Sequence, residues 1–233
     1  MERDEIITKL KKLYEIEHIA PKKEFNCKKK DVCNVIGNDL ALGMQCHVGT
    51  KYGQGKHKLL VVSLDCGNGG ADNIDDRTND VESCKFSNPH MRGTGKIISD
   101  FYGIDRAEAL KYFAMTNSCK CSRKDSPNQL EYRFHFNCAD YKQKEIEILD
   151  PDVIYFQGVN SRAGFEGKFK EMNNIRKELS EFIKQIDING KNYPAIICIH
   201  PSARGRHSKV AKKFYDETIH EINKYIKENI IKR

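Results

Sequence analysis

Residues 57–65 of the chain, HKLLVVSLD, contain a run of apolar residues without polar alternation. A continuous run of this kind is typical of a parallel strand that is covered on both faces. Three more segments have the same character, at residues 112–117, 153–158 and 195–200. The sequence therefore predicts a sheet of four buried, mostly parallel strands.

Helical patterns separate these strands, which indicates an α/β fold. Apolar residues at helical spacing predict helices at residues 2–19, 95–102, 106–111, 138–149, 168–186 and 208–231. No internal repeat and no low-complexity linker divides the chain. We therefore expect one domain over residues 1–233, in which an N-terminal helix and Cys-rich segment (1–56) precede a core (57–206) and a C-terminal helix (207–233).

The composition favours a water-soluble protein with a mild positive charge. The 233 residues include 40 Lys and Arg against 33 Asp and Glu, which gives a net charge of +7, and the mean hydropathy is −0.67. No segment approaches the roughly 18 apolar residues that a membrane helix needs, and the N-terminus is acidic, without the apolar core of a secretion signal. We expect a cytoplasmic monomer without membrane contact. The charge favours polyanion partners, although a Lys-rich surface explains it equally well.

Nine cysteines are the unusual feature of the composition. A reducing cytosol disfavours structural disulfides, and an odd number leaves one thiol without a partner in any full pairing. We therefore expect some cysteines to ligate a metal or cluster and others, such as Cys198, to pack in the core. Cys121 and Cys138 enclose 16 residues.

Candidate functional residues lie in the loops that follow the four strands. In open α/β sheets ligands bind beyond the carboxyl ends of the strands, here at residues 65–76, 117–128, 158–166 and 200–208. Asp65 either presents a carboxylate to a ligand or caps the next helix, and Asn117 either reads a base edge or only closes a strand. His200, held by the following Pro201, is placed to donate to a developing anion.

Five segments in order resemble one enzyme family. They are SLDCG at 63–67, PHMRGTG at 89–95, TNSCKC at 116–121, a Cys-headed helix leading to PDVIYFQG between 138 and 158, and HPS at 200–202. Their order and spacing over residues 57–206 resemble the uracil-DNA glycosylase superfamily, nearest to its iron–sulfur branch (families 4 and 5).

The resemblance implies a uracil-DNA glycosylase-like fold, a single three-layer domain with a central four-stranded sheet flanked by helices. It implies hydrolysis of the N-glycosidic bond of uracil or another altered base in DNA, which leaves an abasic site. The residues that it assigns are Asp65 and His200 for catalysis, Asn117, His90, Cys66 and Gly67 for the base pocket, and Ser202, Arg204, Arg206 and His207 for DNA binding.

The chain departs from the family pattern around the base. Leu64 replaces the family's Glu, Cys66 replaces its Pro, and His90 or a neighbour replaces the aromatic residue that stacks on uracil. These departures favour a modified or bulkier base. A DNA-binding protein that kept the fold without hydrolysis is an alternative, and a metal-dependent enzyme acting on a small molecule is a more distant one.

The iron–sulfur branch also implies a structural [4Fe–4S] cluster, which needs four thiolates. Cys121 and Cys138 fit the family's second ligand pair. Cys27 and Cys33 follow the first helix and are the preferred first pair, with Cys46 as substitute. A structural Zn²⁺ on the same cysteines is the main alternative, and the absence of any metal is another.

Overall fold

The computed structural model describes residues 1–19, 27–33, 40–41, 44–64, 73–123 and 132–231. Within these ranges the strands are β1 (Leu40–Ala41), β2 (His47–Val48), β3 (Leu59–Ser63), β4 (Phe113–Asn117), β5 (Ser122–Arg123), β6 (Val153–Gln157), β7 (Phe169–Glu171), β8 (Ile183–Ile188) and β9 (Lys191–Cys198).

The α-helices of the described ranges separate β3 from β4 and β4 from β6, as the sequence predicts, but none of them lies between β6 and β9. They are α1 (Arg3–Ile16), α2 (Lys30–Cys33), α3 (Ile74–Glu82), α4 (Pro89–Tyr102), α5 (Arg106–Ala109), α6 (Tyr132–Asn137), α7 (Ala139–Leu149), α8 (Arg206–Lys213) and α9 (Ile219–Tyr225). A π-helical turn at Phe214–Thr218 joins α8 to α9. Not one of these helices has both the length and the apolar character to cross a membrane.

The main sheet contains seven strands in the order β2-β4-β3-β6-β9-β8-β7. Its four central strands, β4, β3, β6 and β9, run parallel and correspond to the four predicted apolar runs. Strands β2, β8 and β7 extend the sheet at both edges in antiparallel orientation. The prediction of an α/β fold is confirmed. The prediction of a four-stranded, mostly parallel sheet is wrong, because the edge strands add to the sheet and half of its strand pairings are antiparallel.

Helices cover both faces of the central strands, which explains their unbroken apolar sequences. Alternate residues of β3 point to opposite layers, since Leu60 and Val62 pack with α1 and α7 while Leu59 and Val61 pack with α4 and α9. Every residue of β3, β4 and β6 is buried. The three layers predicted from the sequence follow from this two-sided burial.

The predicted helix at 168–186 is wrong, because this segment forms the edge of the sheet. Strands β7 and β8 pair with each other, and β8 turns directly into β9 through Asn189 and Gly190. Both residues have positive φ, 50° and 82°, as a two-residue hairpin turn requires. The Asn-Gly pair is the sequence signal that favours a hairpin over the helical spacing of the preceding apolar residues.

A buried carboxylate connects three elements beneath the carboxyl ends of the strands. The Glu145 side chain on α7 accepts hydrogen bonds from Tyr14 Oη on α1, from Thr116 Oγ1 on β4 at 2.5 Å and from Lys120 Nζ at 2.6 Å. Glu145 is fully buried and Lys120 is 1% exposed. The burial makes each charge depend on the other, because neither has water to replace its partner.

We predict that Glu145→Gln lowers the free energy of unfolding by about 3–5 kcal/mol, since it leaves the Lys120 ammonium buried without its counter-charge. Urea unfolding followed by circular dichroism measures the change. The control is Lys11→Met, which removes the exposed Lys11–Asp75 pair and should cost less than about 1 kcal/mol. Equal small losses for both variants would contradict the role of this ion pair.

Candidate active site

Polar side chains collect where the four parallel strands end. The register places Ser63 of β3 beside Asn117 of β4, and Gln157 of β6 beside Cys198 of β9. Ser63, Asn117 and Gln157 are all buried. A buried polar residue thus ends each of these three strands, at the edge where open α/β sheets commonly bind ligands; this edge is called the crevice below.

His200 lies two residues beyond β9 and its ring is held in one tautomer. The backbone N–H of Ser202 donates to Nδ1 of His200 at 3.2 Å. An accepting Nδ1 leaves the proton of the neutral ring on Nε2. Burial lowers the pKa of His200 below its usual value, so near neutral pH the side chain is an uncharged donor through Nε2–H.

Two glycines provide the space that the His200-Pro201 turn occupies. A Cβ on Gly93 of α4 would lie 2.6 Å from Cβ of Pro201, and a Cβ on Gly158 would lie 3.1 Å from Cβ of His200. Tyr215 Oη donates to the carbonyl oxygen of Ile199 at 2.6 Å on the other side. The turn is therefore fixed between the loop after β6, helix α4 and the C-terminal helix.

His90 stands beside His200 and joins a buried hydrogen-bond chain. The ring centroids of the two histidines are 6.0 Å apart with an interplanar angle of 26°. Nε2 of His90 lies 2.8 Å from Ser63 Oγ, which donates to Gln157 Oε1 at 3.3 Å. Because the single hydroxyl proton of Ser63 is donated to Gln157, the hydrogen bond between Ser63 and His90 uses a proton on Nε2 of His90. The predicted base-pocket residue His90 thus faces the predicted catalytic His200.

Gln157 anchors this hydrogen-bond chain, and it was not assigned as a site residue from the sequence. It is fully buried, and it exchanges hydrogen bonds with Thr94 of α4 at 3.1 and 3.2 Å. The polar residue that ends the apolar run VIYFQ was the available sequence signal. Gln157 and Thr94 connect β6 to the helix that bears His90, so they fix the distance between the two imidazoles.

The first predicted catalytic residue, Asp65, lies outside the described residues, together with Cys66 and Gly67. The structure does describe the chain up to Leu64, whose carbonyl oxygen accepts from the backbone N–H of Cys119 at 3.1 Å. The preceding carbonyl, of Ser63, accepts from Ser118 at 2.9 Å. The chain that leads to Asp65 therefore runs alongside the turn that follows Asn117.

The predicted DNA-binding residues follow His200 on one surface loop. Ser202 is half-buried and fixes the His200 ring through its amide, whereas Arg204 and His207 are exposed. Arg206 is the first residue of α8. The loop places these basic residues at the same edge of the sheet as His90 and His200.

The four cysteines that were predicted as ligands are buried, and Cys119 lies next to two of them. The four are Cys27, Cys33, Cys121 and Cys138. The pKa of the Cys27 thiol is raised to about 11, by burial first and then by its neighbours Cys138 and Cys33. Cys138 also hydrogen-bonds to Cys119, whose sulfur lies 3.5 Å from that of Cys121. Cys119, in the Cys-Lys-Cys segment, was not assigned from the sequence.

Cys46, the predicted substitute ligand, lies elsewhere. Its thiol interacts with Tyr14 and Glu145, and burial raises its pKa to about 12. Among the described residues no three His, Cys, Asp or Glu side chains are arranged as ligands around one point. The chemistry of the five neighbouring thiols still suits a thiophilic metal or cluster, and it does so without Cys46.

Comparison with known proteins adds no family to this description. No protein-family model matches the chain, and no curated protein matches it either.

We predict that His90 makes stability depend on pH. Burial, followed by the neighbouring His200, lowers its pKa from 6.5 to about 4 in the folded state. The unfolded chain then binds the extra proton below pH 6.5, so stability is full above that pH and falls toward pH 4. Between pH 7.5 and 5 this group should account for a loss of about 2 kcal/mol.

Urea unfolding of the parent and of His90→Gln at the two pH values measures this loss. Between pH 7.5 and 5 the free energy of unfolding of the variant should fall by about 2 kcal/mol less than that of the parent, whatever the variant's stability at pH 7.5. An unchanged pH dependence would show that His90 is not held neutral in the crevice.

Proposed function

We propose that the protein is a DNA glycosylase that hydrolyses the N-glycosidic bond of an altered base. One observation supports this most strongly: His200, uncharged near neutral pH and with its proton fixed on Nε2 by the Ser202 amide, lies at the same edge of the sheet as Asn117 and the chain that leads to Asp65. The same observation is independent of the family resemblance, because it rests on the Ser202 amide and the sheet register.

The reaction explains why these groups are needed together. The C1′–N bond breaks with its electron pair leaving on the base, so positive charge develops on the sugar and negative charge on the base. His200 donates a hydrogen bond to the base oxygen where the negative charge collects. Asp65 stabilises the sugar cation and orients the water that adds to C1′, and it accepts the proton that this water releases.

Base recognition requires the nucleotide to leave the duplex and enter the crevice. Asn117 has both a donor and an acceptor with which to read the base edge, and His90, Cys66 and Gly67 line the base. Ser202, Arg204, Arg206 and His207 then contact the phosphates on either side of the extruded nucleotide. Because an imidazole replaces the aromatic ring that stacks on uracil in the family, we propose an altered base other than uracil as the preferred substrate.

The cysteine residues support a structural role for a [4Fe–4S] cluster held by Cys27, Cys33, Cys121 and Cys138. Bound there, the cluster would cross-link the segment after α1, the turn after β4 and the start of α7. Thiolates suit such a cluster, and they equally suit Zn²⁺. Its place beside the Asn117 turn means that the cluster would stabilise one wall of the crevice.

We predict that Asp65→Asn and His200→Ala abolish most base excision while leaving the fold intact. Loss of one donor to a developing anion commonly costs on the order of 10²–10³ in rate, and Asn in place of Asp65 removes the charge opposite the sugar cation. The measurement is single-turnover release from oligonucleotides with a panel of altered bases, followed by alkaline cleavage. Melting temperature and DNA affinity of each variant serve as controls.

Rates within a few-fold of the parent for both variants would refute these assignments. Release of no base by the parent protein, together with specific DNA binding, would favour the non-catalytic DNA-binding protein instead.

We predict that the loop after His200 binds phosphates. Replacement of both Arg204 and Arg206 by Ala should shallow the slope of log affinity against log salt by about 0.7–0.9 for each phosphate that the variant no longer neutralises. Lys191→Ala is the matched control, because Lys191 is exposed at the first residue of β9, the opposite end of the strand from His200. An unchanged slope in the double variant would place the DNA on another surface.

A further inference from the structure

Two lysines, Lys120 and Lys142, are buried next to the crevice, and within the described part of the chain only Lys120 has a carboxylate partner. Lys120 donates to Glu145 at 2.6 Å, so its charge is balanced. Lys142, on α7, is fully buried as well. Its ammonium donates to Ser118 Oγ at 3.0 Å and to the carbonyl oxygen of Ala163 at 2.5 Å, and it lies 5.0 Å from the centre of the Phe165 ring.

All of these partners of Lys142 are neutral. Among the residues that the structure describes, the carboxylate within electrostatic range is that of Glu166, which is exposed and is bonded to Tyr132 and to the backbone N–H of Gly164. The other acidic groups in range are the buried thiols of Cys138 and Cys119. An ammonium in a dry interior is costly unless a negative charge lies near it.

We propose that the Lys142 ammonium is the counter-charge of an anionic, cysteine-ligated metal group centred on Cys138. Thiols carry no charge, whereas four thiolates around a [4Fe–4S] cluster or a Zn²⁺ ion leave a net negative charge. The buried lysine supplies part of the positive charge that such a group needs. The inference rests on the metal site of the proposed function, and it holds whichever base is excised.

Lys142 also connects this metal group to the crevice. Ser118 follows Asn117 at the end of β4, and Ala163 lies in the loop after β6. Both are hydrogen-bond partners of the same ammonium, so the charge that holds Lys142 in place also holds these two crevice loops. The proposal therefore implies that these two loops are better ordered when the metal group is bound.

The two variants that test the inference separate charge from hydrogen bonding. Lys142→Gln keeps a side-chain donor and removes the charge, and Lys142→Met removes both. Lys144→Met is the matched control, because Lys144 lies two residues further along α7 and its half-exposed side chain pairs with Glu17. Each protein is prepared anaerobically, reconstituted with iron and sulfide or with Zn²⁺ alone, and also measured after metal removal.

The readouts are metal content, the rate of metal loss to a chelator, and the melting temperature with and without metal. We expect both Lys142 variants to lose metal at least about tenfold faster than the parent and the control. We expect metal removal to destabilise them less than it destabilises the parent, because metal-free parent protein has an uncompensated buried ammonium. A merely structural Lys142 would lower the melting temperature of both forms equally.

Parent-like rates of metal loss in both Lys142 variants would overturn the inference, as would an equal drop in melting temperature with and without metal. A parent protein that binds neither iron nor zinc would overturn it together with the metal site. If the protein shows the expected metal behaviour but excises no base, only the proposed glycosylase activity would be overturned.

Discussion

The buried carboxylate of Glu145 is the constraint on which the crevice depends. It accepts hydrogen bonds from three different parts of the chain, namely Tyr14 on α1, Thr116 on β4 and Lys120 in the turn that follows β4. This turn includes Ser118, whose hydroxyl receives the second buried lysine, Lys142. Among the described residues, two buried ammonium groups and one buried carboxylate therefore lie near the end of β4, and in the proposed metal group the neighbouring cysteine thiolates supply the missing negative charge.

Above this charged layer, the parallel strands bring their terminal residues to one edge. The Ser202 amide fixes the tautomer of His200, and Gln157 and Thr94 fix His90 through Ser63. Both imidazoles are uncharged near neutral pH because burial disfavours their protonated forms and lowers the pKa of each. The neutral donor His200, with a carboxylate expected at Asp65, has the charge pattern that the proposed cleavage of a glycosidic bond requires.

The sequence was sufficient for the parts of the fold that burial on both faces determines. The four central strands and helix α7 were predictable because β-branched and aromatic runs and helical spacing agree with their environments. The edge strands were not, since the apolar spacing of residues 168–186 also suits a helix, and only Asn189-Gly190 indicates the hairpin. At the candidate site, the HPS segment predicted His200, whereas Gln157, Lys142 and Cys119 come to notice only through contacts between distant segments that no local pattern encodes.

The proposed cleavage requires the crevice to stabilise a positively charged sugar, and DNA that carries no base at the site tests this requirement by itself. A DNA duplex with a cationic pyrrolidine at one abasic position mimics the sugar cation, and a neutral tetrahydrofuran at the same position is its matched control. We expect the parent to bind the cationic duplex at least about tenfold more tightly and Asp65→Asn to remove this preference. Equal affinity of the parent for both duplexes would show that the crevice does not stabilise a sugar cation, whichever base is excised.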